Sequence, residues 1–186
     1  SEIHTRTGQP AFFGITKILK VEVMHRVTDY YGPVVYTNFA NPENNYQPDT
    51  QEEVYDEFFH ELDTAVTVLS DYIERMPEAA EFARFDILLD GKYSSWIKFA
   101  NSLRMRLAMR LAVVSPLKAR SEFLKALDNA YGVFEYATEL ASVSTGSGYS
   151  NPLGELNRVW NETYMNASIE SIMNGYGDPR REFYFE

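Results

Sequence analysis

The chain has no cysteine among its 186 residues. That excludes disulfides and thiolate metal centres within this sequence, and leaves no position in it for a lipid carried on sulfur. Long apolar runs are also missing. None approaches the roughly 18 residues that a membrane-spanning helix needs, and the N-terminus has no signal-peptide pattern. Positive charge is scarce: 17 Lys and Arg stand against 27 Asp and Glu, for a net charge of −10. A phosphate backbone is repelled by that balance, so nucleic acid is not a partner. Catalytic signatures are absent as well. His60-Glu61-Leu62-Asp63-Thr64 starts like a zincin helix but has Thr64 where the second metal-binding imidazole is needed. Thr145-Gly146-Ser147-Gly148 lacks the lysine and spacing of a phosphate loop, and no G-x-S-x-G elbow occurs. His4 and His25 have no sequence-local ligand partner. The chain reads as neither an enzyme nor a cofactor carrier.

What is present is a helical pattern. From Pro10 to Tyr31, apolar groups at Phe12, Ile15, Ile18, Leu19, Val23, Val27 and Tyr30 fill one face of a 3.6-residue period. Pro10 suits the first helical position and Gly32-Pro33 ends the helix. Residues 33–40 read as extended and 41–49, with two Pro and three Asn, as a loop. Thr50-Gln51-Glu52-Glu53 is a capping box, and it opens a helix with the stripe Val54, Tyr55, Phe58, Leu62, Ala65 and Leu69. A short helical turn is expected within 77–85 and a tight turn at Asp90-Gly91. Ser94 or Ser95 caps a long helix with the seam Trp96, Ala100, Leu103, Leu107, Leu111 and Val114. Ser115-Pro116 closes it and opens another, Leu117 to Ala130, ended by Gly132. Residues 142–152 read as a loop, the stretch Leu153 to Met173 as one or two short helices, and the remainder as irregular. The fold class is all-α: packed αα-hairpins of tetratricopeptide type in a single domain, 1–186.

Charge is distributed to suit such packing. Between Glu43 and Asp90 there are 14 acids and two bases; between Lys92 and Lys125 there are eight bases and one acid, Glu122. Consecutive acidic and basic helices can present complementary faces. Arg106 and Arg110 flank the seam of Phe99 and Leu103, so they, with Arg104, are expected to be anchored by Glu61, Asp63 or Asp29, since an unpaired buried charge is very costly.

The aromatic and amide segment Tyr36, Phe39, Asn41, Asn44, Asn45 and Tyr46 is the candidate ligand surface. Sugar rings offer flat C–H faces that stack on aromatics and hydroxyls that pair with amides. Trp160, near Tyr149, Asn151 and Tyr164, belongs to a second candidate set, although Trp160 and Tyr164 are spaced as a helix packing pair.

Several segments, in order, resemble the SusD/RagB family of outer-membrane glycan-binding lipoproteins of Bacteroidetes. They are Thr28-Asp29-Tyr30-Tyr31-Gly32-Pro33-Val34-Val35-Tyr36-Thr37, the helix from Gln51 to Ala65, and Asp86-Ile87-Leu88 with Gly91, Trp96 and Lys98 to Arg110, followed by Gly175-Tyr176-Gly177-Asp178-Pro179-Arg180. The resemblance implies a tetratricopeptide-like helical scaffold and non-enzymatic capture of an oligosaccharide or similar nutrient at the cell surface. It also implies delivery to a SusC-like TonB-dependent outer-membrane transporter, and attachment to the membrane only through a lipid anchor that these residues do not contain. It places ligand contacts in irregular loops, of which 36–46 is one. Family members are longer, so the chain is expected to be an internal segment of a longer protein. The alternative reading is a helical scaffold that docks the transporter or another protein and has no sugar site of its own.

Overall fold

The computed structural model describes residues 9–39, 46–136, 138–139, 141–143, 151–161 and 164–184. The chain divides into two compact units, Ser1–Val143 and Ser144–Glu186. Among its described residues the first holds four helices: α1 (Pro10–Tyr31), α2 (Gln51–Arg75), α3 (Tyr93–Arg110) and α4 (Pro116–Leu127). Chain neighbours pack on one another, α1 on α2, α2 on α3 and α3 on α4, with a smaller contact between α1 and α3. This is the hairpin stacking that the sequence pattern implies. The second unit holds α5 (Pro152–Glu155), a π-helical turn (Leu156–Trp160), α6 (Ala167–Gly175) and α7 (Arg181–Tyr184). Among the described residues no helix is long and apolar enough to cross a membrane.

Helix α1 starts at Pro10, whose missing N–H costs nothing in the first turn. It stops where the Gly32 N–H bonds the Thr28 carbonyl at 2.7 Å. The buried stripe is Ala11, Gly14, Ile15, Ile18, Val21, His25 and Thr28. It is rotated from the one that apolarity alone suggests, because Leu19, Val23 and Tyr30 are exposed. Gly14 lets the α1 and α2 backbones approach: a Cβ there would lie 3.0 Å from Leu69 Cγ and 3.3 Å from the Ala65 carbonyl oxygen. Helix α2 opens with the capping box read from the sequence, the Thr50 hydroxyl accepting from the Glu53 N–H while the Glu53 carboxylate accepts from the Thr50 N–H.

Helix α3 departs from expectation at both ends. Its N-cap is Lys92, and neither Ser94 nor Ser95 caps it. The preceding turn is organised instead by Asp86, whose buried carboxylate accepts from Leu88 N at 2.9 Å, Leu89 N at 3.0 Å, Gly91 N at 2.9 Å and Trp96 Nε1 at 2.7 Å. With those donors held, the chain enters the helix directly at Tyr93. At the other end helical bonding stops at Arg110, and Val114, expected on the seam, is 77% exposed. Helix α4 likewise ends at Leu127 rather than Ala130, with Asp128 as its C-cap.

Asp90 and Gly91 both adopt left-handed backbone, φ 56° and 72°. A Cβ on Gly91 would lie 2.3 Å from Ala83 Cα, a backbone atom that cannot rotate away. Gly91→Ala is therefore expected to destabilise the fold by about 2–3 kcal/mol, from αL strain plus overpacking. Urea titration followed by circular dichroism measures it.

Two buried charge centres tie the helices together. Glu61 on α2 accepts from Lys17 and Lys20 of α1, each at 2.9 Å, and from the Tyr36 hydroxyl. Burial works to raise the Glu61 pKa, but these three donors outweigh it and hold the carboxyl below its ordinary range. Arg104 on α3 pairs with Asp63 of α2 at 2.6 Å and with Glu122 of α4. The complementary acidic and basic segments thus meet as internal pairs, joined at the surface by Lys118–Asp56 and Lys125–Asp63. The arginines differ from their expected ranking: Arg104 is the buried one, Arg110 pairs with Asp29 at 2.7 Å, and Arg106 is exposed with no ion partner among the described residues. Glu61, one of the anchors considered for the arginines, is taken by the two lysines.

Candidate functional site

The segment after α1 is pinned at both ends. Val34 and Asp49 form an isolated antiparallel bridge, with Val34 N donating to the Asp49 oxygen at 3.2 Å and Asp49 N to the Val34 oxygen at 2.9 Å. The Asp49 carboxylate also accepts the Tyr36 and Thr37 N–H groups, both at 2.8 Å, and the Thr37 hydroxyl. Burial again acts to raise its pKa; those hydrogen bonds prevail and hold it low. A loop rooted on a charge-assisted clamp of this kind has a fixed base, which suits it to presenting side chains.

The residues named from the sequence divide at that base. Tyr36 lies inward, not on the loop surface. It is 3% exposed, its ring meets Phe58 edge-on at 5.1 Å, and Lys20 Nζ sits 3.7 Å from the ring centroid. Burial, then the Glu61 carboxylate, drives the Tyr36 pKa far above a phenol's ordinary value, so it remains a neutral donor. Tyr36 therefore belongs to the packed base formed with Phe58 and Glu61. Phe39 and Tyr46 are solvent-facing at 77% and 52% exposure, and Tyr46 adopts left-handed backbone, φ 50°. Asn41, Asn44 and Asn45 lie outside the described residues. Trp160 belongs to the second unit, where it closes the π-helical turn and is exposed; Tyr164 follows on non-helical backbone, so the two are not a helix pair. In that unit Asp178 and Arg180 form a local fork, Arg180 Nη2 lying 2.5 Å from Asp178 Oδ2, and the Arg180 hydrogen bonds lower the Asp178 pKa to about 2.

A larger concavity was not evident from the sequence. A cleft of about 560 Å³ opens beside the ends of α1, α3 and the first turns of α2 and α4, lined among others by Asp29, Gln51, Tyr55, Arg110 and Lys118. Its centre is ordered: the Tyr55 hydroxyl donates to Asp29 Oδ1 at 2.7 Å, Arg110 binds Asp29 Oδ2 at 2.7 Å, and the Gln51 amide donates to the Thr28 carbonyl at 2.8 Å. Burial, with the Asp29 hydrogen bond next, pushes the Tyr55 pKa up to about 12. The pairing of Arg110 with Asp29 was among the anchors the sequence offered. Gln51 and Lys118 carried no signal, because nothing local relates the start of α2 to the start of α4.

The chain matches the SusD-like family model, described as Susd and RagB outer membrane lipoprotein, over residues 1–186. A comparison with curated proteins finds no match. Among solved structures, a SusD homologue from Bacteroides vulgatus is 48% identical, with TM-score 0.86 over 96% of this chain and 35% of that one. A chitin-binding SusD homologue from Flavobacterium johnsoniae is 40% identical, with TM-score 0.87 over 97% of this chain and 38% of that one. A SusD homologue from Bacteroides uniformis is 37% identical, with TM-score 0.84 over 100% of this chain and 38% of that one. The chain therefore spans between 35% and 38% of the length of these relatives.

Proposed function

Because the chain belongs to the SusD-like family, we propose that its protein captures an oligosaccharide, or a similar nutrient, at the cell surface and delivers it to a SusC-like TonB-dependent outer-membrane transporter. The observation that carries this reading is likeness along nearly the whole chain to a homologue that binds chitin, at 40% identity. The protein holds its ligand and does not cleave it, and it sits on the outer membrane through a lipid, as the family description indicates. The loop supplies the contact: Phe39 and Tyr46 stack on sugar faces above the base fixed by Asp49 and Tyr36, with Asn41, Asn44 and Asn45 as amide partners. Trp160 is an additional stacking candidate.

Titration of the intact protein with neutral oligosaccharides, chitin fragments first, tests this. Aromatic stacking on a ligand is worth about 1–2 kcal/mol per ring, so Phe39→Ala and Tyr46→Ala are each expected to weaken binding by roughly tenfold. Unchanged affinity in both variants would move the site elsewhere. A second reading, transporter docking without a sugar site, is favoured by one specific feature. The link from α3 to α4 exposes Val113 at 92% and Val114, and Met109 at the end of α3 and Leu117 at the start of α4 are exposed as well, apolar side chains of the kind that suit a protein surface. No glycan binding by the intact protein, together with transporter association lost on Leu117→Asp, would establish that reading instead.

A further inference from the structure

A second cavity, of about 400 Å³, is walled by His25, Arg26, Asp29, Tyr30, Arg106 and Arg110. In a chain of net charge −10, three guanidinium groups share this one space. Only Arg110 is neutralised, by Asp29, and that carboxylate is further occupied by the Tyr55 hydroxyl. Among the described residues Arg26 and Arg106 have no ion pair and donate no hydrogen bond to a side chain, although acidic residues outnumber basic ones in the chain. Both are exposed and come from different helices.

The wall beside them holds the second observation. His25 is fully buried; its Nδ1 lies 3.2 Å from the Val21 carbonyl, and its Nε2 has no hydrogen-bond partner. A buried polar atom left unsatisfied is rare and calls for an explanation. Asp29 lines the cavity and Glu22 lies 4.0 Å from Nδ1; both belong to α1. The last turn of α1 holds no basic residue and that of α3 holds only Arg110, so the helix dipoles, which act within the last turn, account for neither Arg26 nor Arg106.

We propose that this cavity binds an oxyanion, a carboxylate or sulfate group, held between Arg26 of α1 and Arg106 of α3. Guanidinium forks match such groups in a bidentate manner, and charge-assisted hydrogen bonds are the strong class. The ligand source is either an acidic sugar, uronate or sulfate ester, or a free inorganic anion. The site is separate from the aromatic loop and does not depend on neutral-glycan binding there.

The test is calorimetric titration of the intact protein at low ionic strength with four probes: inorganic sulfate, a sulfated disaccharide, a uronate-containing disaccharide and an uncharged disaccharide. The three anionic probes are expected to include saturable binders, each weakened about tenfold by Arg26→Gln or Arg106→Gln and more by both together. Arg120→Gln, an exposed arginine away from this cavity, should leave that binding unchanged, and Phe39→Ala should leave the binding of inorganic sulfate unchanged. Binding of the acidic sugars alone assigns the source as glycan, and binding of sulfate alone assigns it as a free anion; both outcomes support the site. No saturable binding by any anionic probe, or equal affinity in the double variant, overturns it. Because both arginines are exposed and unpaired, their replacement leaves the fold intact. Loss of neutral-glycan binding on Phe39→Ala with the anion site unaffected, or the reverse, separates the two assignments.

Discussion

Arg104→Ala is expected to cost the fold about 3–5 kcal/mol, the range for breaking one partner out of a buried ion pair. The side chain is 2% exposed and reaches three groups from two other helices: Asp63, Glu122 and the Phe59 carbonyl at 3.3 Å. Truncation leaves two carboxylates from α2 and α4 facing a cavity where a guanidinium had stood. Lys125 still pairs with Asp63 at 2.6 Å, but from the exposed side, where screening makes a pair worth little. Glu122, by contrast, has only Arg104 as an ion partner among the described residues. Arg104→Met keeps much of the volume yet strands the same two acids, so it should recover only part of the loss. Urea unfolding at neutral pH reads the effect as a shift in midpoint at constant slope. Arg106→Ala, two residues on and on the exposed side, is the control and should stay within about 0.5 kcal/mol of wild type. Equal effects at positions 104 and 106 would mean that the buried pair does not hold α2, α3 and α4 together.

That contrast also shows what the sequence does and does not encode in readable form. Local chemistry was readable: Pro10 at a helix start, the Thr50–Glu53 box and the Asp90-Gly91 turn all depend on neighbours a few residues apart. The acidic and basic halves of the scaffold were readable as complementary, because charge is a sum over a segment. Which arginine is buried was not stated by charge. It is given by period, since Arg104 follows Leu103 on the face shared by Ala100, Leu107 and Ala108, whereas Arg106 falls on the far side. Tyr36 was misplaced for a related reason. A loop tyrosine that binds a carboxylate 25 positions away looks the same in sequence as one that faces solvent. The cleft at Asp29 and Arg110 needs four helices to be assembled before it exists, so no window of sequence contains it.

Asp86 carries the prediction in which local and tertiary structure meet. Its carboxylate holds three backbone N–H groups and the Trp96 indole, so Asp86→Ala strands four donors, three of them in a buried turn. At neutral pH the expected cost is about 4 kcal/mol, and Asp86→Asn, which replaces an acceptor oxygen by a second donor, should cost about 2–3 kcal/mol. Burial acts to raise the Asp86 pKa, yet the donated hydrogen bonds outweigh it and set the folded value below the ordinary one. A depressed folded pKa gives stability that is fully present above the unfolded value, near 3.9, and is lost as pH falls through the folded value. The gap between wild type and Asp86→Asn should therefore be constant from neutral pH down to about pH 5 and close in more acid solution. Trp96 is one of only two tryptophans, so a Trp160→Phe background makes its fluorescence a direct reporter of the turn. Urea titrations of that pair across pH 2 to 7 then distinguish the hydrogen-bonded carboxylate from packing alone, because loss of packing would leave a gap that does not close in acid. The same four donors account for why Asp86, Gly91 and Trp96 occur together in the segment that most resembles the family: one carboxylate, one left-handed glycine and one indole build the entry to α3 as a single unit.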